Sequence, residues 1–391
     1  MNYSYPLMEN NILQDDINAL IDLLRSDNPR LTNGKKVIEF EEAWSKWLNV
    51  KHSLFVNSGA SANLITISAL KYLYGEGGEI IVPTLTWISD IASVLLNGFT
   101  PVFVDIDPKN LGMSTDGIIK KLSNQTRAVF VTYVLGFNCL SDLLIKELNE
   151  RNIPILEDVC ESHGATFGNQ KLGSIGLASN FSFYYAHHLS TVEGGMVSTN
   201  DDKFYDCLKM LRSHGMVREA YLEETKSYYK NTYPDIHPEF TFAYPSFNVR
   251  STEINAVIGL SQLPRLSDAI EKRNNNFRTF ISNIDDNKYR VEYDTCGMSN
   301  YALTIVLKEK NKETYGKLIS KLRENGVEFR QGTAGGGNIM RQPFIRKLFN
   351  EDVYKDYPEV EHIHHYGLYI GNYPSLQYEN IKRVCHILNE I

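Results

Sequence analysis

The sequence predicts an α/β protein: a mainly parallel β-sheet covered on both faces by helices, followed by a smaller α+β domain. Short apolar runs alternate with amphipathic stretches through the first two thirds of the chain, the pattern of strands joined by crossover helices. After about Pro264 the pattern changes to fewer, longer amphipathic helices with scattered strands. The length of 391 residues also exceeds the roughly 250 to 300 at which a single hydrophobic core stops growing. Two domains are therefore expected, 1–264 and 265–391, with the N-terminal segment free to pack on the smaller one.

In chain order, SLFVN (53–57) reads as a buried strand followed by a helix from about Ala62, and EIIVP (79–83) as a second strand followed by a helix from about Trp87. TPVFVDID (100–107), RAVFVTYV (127–134) and IPIL (153–156) continue the series. In such a sheet, ligands sit beyond the carboxyl ends of the strands. Apolar spacing of about 3.6 predicts helices over Ser267–Asn283, Lys312–Asn325 and Tyr378–Ile391, and YALTIVLK (301–308) reads as a strand. The stretch from Leu222 to Ala243 is rich in Tyr, Lys, Pro and Glu without clear periodicity and is expected to be a long loop near the site.

Composition narrows the function classes. Hydrophobic residues make up 42%, charged residues 22%, and the net charge is −7 with no basic cluster, which argues against nucleic acid as a partner. The start, MNYSYPLMENNILQDD, lacks a basic and apolar leader, and no stretch of about 18 apolar residues occurs, so a cytoplasmic protein without a membrane partner is expected. Five scattered cysteines (Cys139, Cys160, Cys207, Cys296 and Cys385) suggest neither a disulfide framework nor a metal knuckle.

Several segments carry chemistry. NSGASAN (57–63) joins a strand to a helix with residues small enough for backbone N–H groups to approach an anion, although such turns also serve packing alone. LEDVCESHGA (156–165) places Asp158 just past a strand with Glu161 three residues on, where a carboxylate either caps a helix or serves a ligand. Trp87 in VPTLTWISD opens a helix, a place equally suited to a core aromatic. FSFYYAHHLSTVEGG (181–195) holds His187 and His188, and His187 precedes the Glu193-Gly194-Gly195 turn by six residues. RSHGMVR (212–218) and RQGTAGGGNIMRQP (330–343) add His214, Arg218, Arg330 and Arg341, the guanidinium groups being suited to bidentate contact with phosphates or a carboxylate. His362, His364 and His365 form a cluster without a nearby cysteine or paired carboxylate, which favours a surface loop over a metal site.

Together these segments, with TNGKKVIEFEEAW and PSFNVRSTEINA, resemble the sugar-nucleotide aminotransferases, fold type I pyridoxal phosphate enzymes with a seven-stranded large-domain sheet and a smaller C-terminal domain. The resemblance implies that Gly59 and Ala60 give backbone N–H groups to the cofactor phosphate, that Ser61 and Ser182 add hydroxyls, and that Trp87 stacks on the pyridine ring. Asp158 would pair with the ring nitrogen, and Glu161 stands where these aminotransferases commonly carry Gln. Asn248 would reach the phosphate of the neighbouring subunit, which implies a homodimer. His214, Arg218, Arg330 and Arg341 would meet the sugar nucleotide.

In that family a lysine holds the cofactor covalently at the position of His187. An imidazole cannot form that link, yet with an ordinary pKa near ~6.5 it moves protons at neutral pH. The resemblance therefore points to the family's 3-dehydratase branch. It implies non-covalently held pyridoxamine phosphate, a nucleotide-linked 4-keto-6-deoxy sugar, with GDP favoured, and L-glutamate as the amino donor. Cysteine spacings of 21, 47, 89 and 89 residues argue against the iron–sulfur cluster of some related enzymes. The rival readings are a 4-aminotransferase working without its lysine and a catalytically silent binding protein.

Overall fold

The computed structural model describes residues 3–391. Its strands in the first part of the chain are β1 (His52–Val56), β2 (Glu79–Pro83), β3 (Thr100–Val104), β4 (Thr126–Thr132), β5 (Ile155–Asp158), the hairpin β6 (Thr166–Phe167) and β7 (Gln170–Lys171), β8 (Ala178–Ser182) and β9 (Gly195–Thr199). Seven of them form one sheet in the order β1-β9-β8-β5-β4-β2-β3. All are parallel except β9, which runs antiparallel to both of its neighbours. Every residue of β1, β8 and β9 is buried, as expected of strands covered on both faces.

The expected strands and helices form within a few residues of their predicted bounds. The helix foreseen from Ala62 starts at Gly59 and runs to Tyr74, and the one from Trp87 spans Ile88–Leu96 with Trp87 as its N-cap. The strands β8 and β9 were not foreseen individually. Their sequences, ASNFS and GMVST, are small and polar and lack the β-branched apolar run that marks a buried strand.

The C-terminal part contains a second sheet, β10 (Leu303–Val306), β11 (Phe329–Gln331) and β12 (Gly367–Ile370), in the antiparallel order β10-β12-β11. Helices Leu266–Ile281, Lys312–Glu324 and Tyr378–Asn389 pack with it. The N-terminal segment docks here as well: Glu328 N–H donates to the Tyr5 carbonyl at 2.8 Å, and Tyr5 N–H to that of Gly326 at 3.2 Å. Among the described residues no helix is long and apolar enough to cross a membrane.

One expectation is corrected. Residues 222–243 are not a structureless loop, for they form the helix Glu223–Thr232 and a single turn at Pro238–Phe240. No residue of the longer helix is buried, so it shows no apolar periodicity. Its start is fixed from elsewhere: the buried Asp206 carboxylate accepts from the N–H groups of Tyr221 (2.5 Å) and Leu222 (2.7 Å) and from Thr225 Oγ1 (2.7 Å). A capping group supplied by another helix leaves no signal in the segment itself.

Replacing Asp206 with alanine would remove three hydrogen bonds from the start of this helix and cost about 1–3 kcal/mol. Hydrogen exchange across 221–232 is expected to accelerate more than in the large sheet, and unchanged protection there would contradict the capping role.

Candidate active site

The register of three strands gathers the site. Gly195, the first residue of β9, faces Val56 at the end of β1 and Ser182 at the end of β8. The carboxyl ends of β1 and β8 are thereby brought level, and β5 lies beside β8 with Asp158 opposite Asn180. The helix Gly59–Tyr74 starts at this edge. Its N-cap Ser58 accepts from Ser61 N–H through its side chain, whereas the N–H groups of Gly59 and Ala60 have no acceptor among the described residues. A Cβ on Gly59 would lie 2.6 Å from Ser182 Cβ and 3.1 Å from Cys160 Sγ, so only glycine lets this turn approach β8 so closely.

Around the turn stand the other predicted groups. Asp158 is nearly enclosed, with Oδ1 accepting from Cys160 N–H (2.9 Å) and Oδ2 from Asn63 Nδ2 (3.0 Å). Trp87 is 63% exposed, a large aromatic face that nothing among the described residues covers. Glu161 Oε2 accepts from Leu135 N–H at 2.9 Å; burial, with the Asp158 charge adding to it, pushes this carboxyl up to about 7. A helix N-terminus with free N–H groups, two nearby hydroxyls, a buried carboxylate and an open aromatic face match the phosphate, ring nitrogen and ring of pyridoxal or pyridoxamine phosphate. The residues present fit that group.

His187 closes the site on the side of β8. Its Nδ1 is enclosed without a hydrogen-bond partner, and its ring centroid lies 5.5 Å from that of Tyr301 and 6.2 Å from that of His163. Burial, reinforced by the positive charge of Arg273, pushes its pKa down to about 3. The imidazole is therefore neutral at physiological pH and stands ready as a base, rather than titrating near neutrality as an unperturbed histidine does. His163 and His188 lie behind it and are likewise held neutral by burial. Neither ring nitrogen of His163 has a partner, while His188 Nε2 meets Ser299 Oγ at 3.2 Å.

The predicted sugar-nucleotide residues divide. Arg330 sits on β11 opposite Tyr369, whose ring lies 6.3 Å from that of Tyr301; its side chain is exposed and bonds Glu328 and the Phe329 carbonyl, both at 3.4 Å. Arg341 does not offer a free fork. Its guanidinium bonds both oxygens of Glu361 and stacks 4.0 Å from the Tyr354 ring, which removes it from the expected role. Arg218 bonds Glu239 at 3.4 Å, and His214 and Asn248 are exposed, with the Asn248 side chain accepting from Arg250 N–H. His365 bonds Glu361 and His362 bonds the Leu307 carbonyl, and no cluster of three or more ligating side chains occurs among the described residues.

The glycine run also has a definite place. Gly335, at φ +56°, packs so that a Cβ would lie 2.1 Å from the Thr86 carbonyl oxygen, and Ile339 N–H donates to the Thr84 carbonyl at 3.0 Å. The loop braces the backbone that carries Trp87. Asn63, Asp90, His163 and Tyr301 join the site without having been singled out from the sequence. The first three lie inside motifs chosen for other residues, and only Tyr301 had no nearby signal.

The chain belongs to the DegT/DnrJ/EryC1/StrS aminotransferase family, whose profile matches residues 10–389. Within it, the GDP-4-keto-6-deoxy-D-mannose 3-dehydratase of Yersinia pseudotuberculosis is 31% identical over 99% of this chain and 98% of its own. GDP-perosamine synthase of Escherichia coli O157:H7 is 26% identical over 92% of this chain and 91% of its own. Two solved structures of GDP-4-keto-6-deoxymannose 3-dehydratase superpose with a TM-score of 0.89, covering 98% of this chain and 100% of theirs. One, 29% identical, is a histidine-to-asparagine variant with bound GDP-perosamine; the other, 28% identical, contains a trapped PLP–glutamate geminal diamine.

Because folded His163 resists protonation, the unfolded chain binds more protons at this position below about pH 6.5, and the folded state loses stability there as pH falls. His163→Leu should remove that contribution. Denaturant titrations between pH 4 and 6 are expected to show a pH slope smaller than wild type by up to about 1.4 kcal/mol per pH unit. An unchanged slope would mean that His163 is protonated in the fold.

Proposed function

We propose that the protein removes the 3-hydroxyl of a nucleotide-linked 4-keto-6-deoxy sugar, GDP-linked, with pyridoxamine phosphate as cofactor and L-glutamate restoring its amine. The observation that carries this reading is His187: a neutral imidazole at the site's edge, in a segment from Ala178 to Thr199 that contains no lysine. The dehydratase relatives and their cofactor and glutamate adducts support it.

In this reading Gly59 and Ala60 bind the cofactor phosphate through N–H groups, Ser61 and Ser182 add hydroxyls, Trp87 stacks on the ring and Asp158 binds its nitrogen. Bound pyridoxamine phosphate supplies an amine for the sugar's ketone and an electron sink for the carbon that loses a proton. His187 Nε2, the ring nitrogen that is not enclosed, accepts that proton and returns it to the hydroxyl leaving sugar carbon 3, which departs as water. Its low basicity in the closed site makes the protonated ring a strong acid for that second transfer. Glu161, its carboxyl raised to about 7, is partly protonated at neutral pH and can donate that proton to an oxygen above the site.

Arg330 binds the nucleotide phosphates from the mouth. Arg218, His214 and Asn248 share a face with the exposed Phe240, Phe242 and Phe247, and this face serves a second copy of the chain in a homodimer, with Asn248 reaching the partner's phosphate site. The similarity to GDP-perosamine synthase favours one rival product, a 4-amino sugar.

Mass spectrometry of the product formed with pyridoxal phosphate, L-glutamate and GDP-4-keto-6-deoxymannose separates the readings. A ketone lighter by one oxygen is expected, and an amino sugar would replace dehydration with transamination. His187→Asn should retain the cofactor, followed by its absorbance after gel filtration, while turnover falls by about 10²-fold or more. Dehydration persisting in that variant would remove His187 as the base. Trp87→Ala should weaken cofactor binding about two- to tenfold, the loss of roughly 0.5–1.5 kcal/mol of stacking, in an equilibrium titration.

A further inference from the structure

Asp90 lies in the first turn of the Ile88–Leu96 helix, three residues after Trp87, and is wholly buried. Its Oδ2 accepts from Thr132 Oγ1 at 2.6 Å and from Thr86 Oγ1, and its Oδ1 from Asn63 Nδ2 at 2.6 Å. The same Asn63 nitrogen donates to Asp158 Oδ2 at 3.0 Å, so one amide bridges two buried carboxyls that are themselves within hydrogen-bonding reach. Asn63 Oδ1 has no partner among the described residues. The other titratable groups here are Cys160, whose thiol is kept protonated by burial and the two aspartates, and Glu161 beyond it. No cationic side chain bonds either aspartate among the described residues.

Two unpaired negative charges in such a place are too costly to coexist, and buried carboxyl pairs of this kind share one proton. Asp90 is the more deeply enclosed of the two, and its carboxyl is pushed well up by burial and then by the Asp158 charge. The hydroxyls of Thr86 and Thr132, 3.0 Å apart, can turn to suit a protonated partner.

We propose that Asp90 is a positioning residue for Asp158: it keeps the single proton of the carboxyl pair and donates it to Asp158. This rests on the reading that Asp158 meets the cofactor's ring nitrogen. A carboxylate that already accepts from Asp90, Asn63 and Cys160 N–H is held in one orientation with its lone pairs engaged. The proton between it and the ring nitrogen therefore stays on nitrogen, where the electron sink needs it.

The test uses the intact protein loaded with pyridoxamine phosphate carrying a ¹⁵N ring nitrogen. In wild type and in Asp90→Asn, which keeps a neutral donor of the same shape, the bound ¹⁵N shift is expected at the protonated value between pH 6 and 9. In Asp90→Ala it should move toward the unprotonated value. A bound signal unmoved in Asp90→Ala, or moved equally in both variants, overturns the inference while leaving the proposed function standing. No bound signal in wild type overturns both. A second measurement needs no cofactor: the infrared difference between wild type and Asp90→Asn at neutral pH should show the loss of one carboxylic acid C=O band, and loss of carboxylate bands instead overturns the proposal.

Discussion

The constraint on which the site depends is the single antiparallel strand β9, inserted between β1 and β8. Because Gly195 faces the last residues of both neighbours, the ends of two parallel strands separated in sequence by over a hundred residues are held level. One delivers a helix N-terminus with free N–H groups, and the other delivers Ser182 and then His187. A one-residue slip of β9 would exchange the side chains of its two covered faces and part these groups. Gly59 tightens the arrangement by letting the helix start touch β8 directly.

Charge is managed strictly in this region. His163, His187 and His188 are held neutral by burial, and Glu157, Glu161 and Asp90 are pushed toward their neutral forms. Asp158 is the group placed to answer a cation, and Arg273, buried among the carbonyls of Tyr301 and Asn372, adds to burial in holding the histidines neutral. An arrangement of neutral bases around one carboxylate suits a reaction in which a proton is borrowed and returned.

Much of this was legible in the chain. Five strands of the large sheet announce themselves as apolar runs, and Asp158, Trp87, Ser182 and His187 stand in motifs that the fold gathers along one edge. What escaped reading did so for physical reasons. The strands β8 and β9 are buried by neighbours rather than by their own apolarity, and the Glu223–Thr232 helix is started by Asp206 from another element. Arg341 carried the residue type for anion binding, but its acidic partner Glu361 lies twenty residues away and meets it only through the fold. Asp90 looked like an ordinary residue of a helix's first turn, since nothing in the sequence shows Asn63 and Asp158 beside it.

The contact between Gly335 and the Thr86 carbonyl has a mechanical consequence. The loop that meets this carbonyl leaves β11, the strand bearing Arg330, so one short stretch of chain ties the C-terminal sheet to the backbone that carries Trp87. Only four residues of chain separate Arg330 from the glycine that meets this carbonyl.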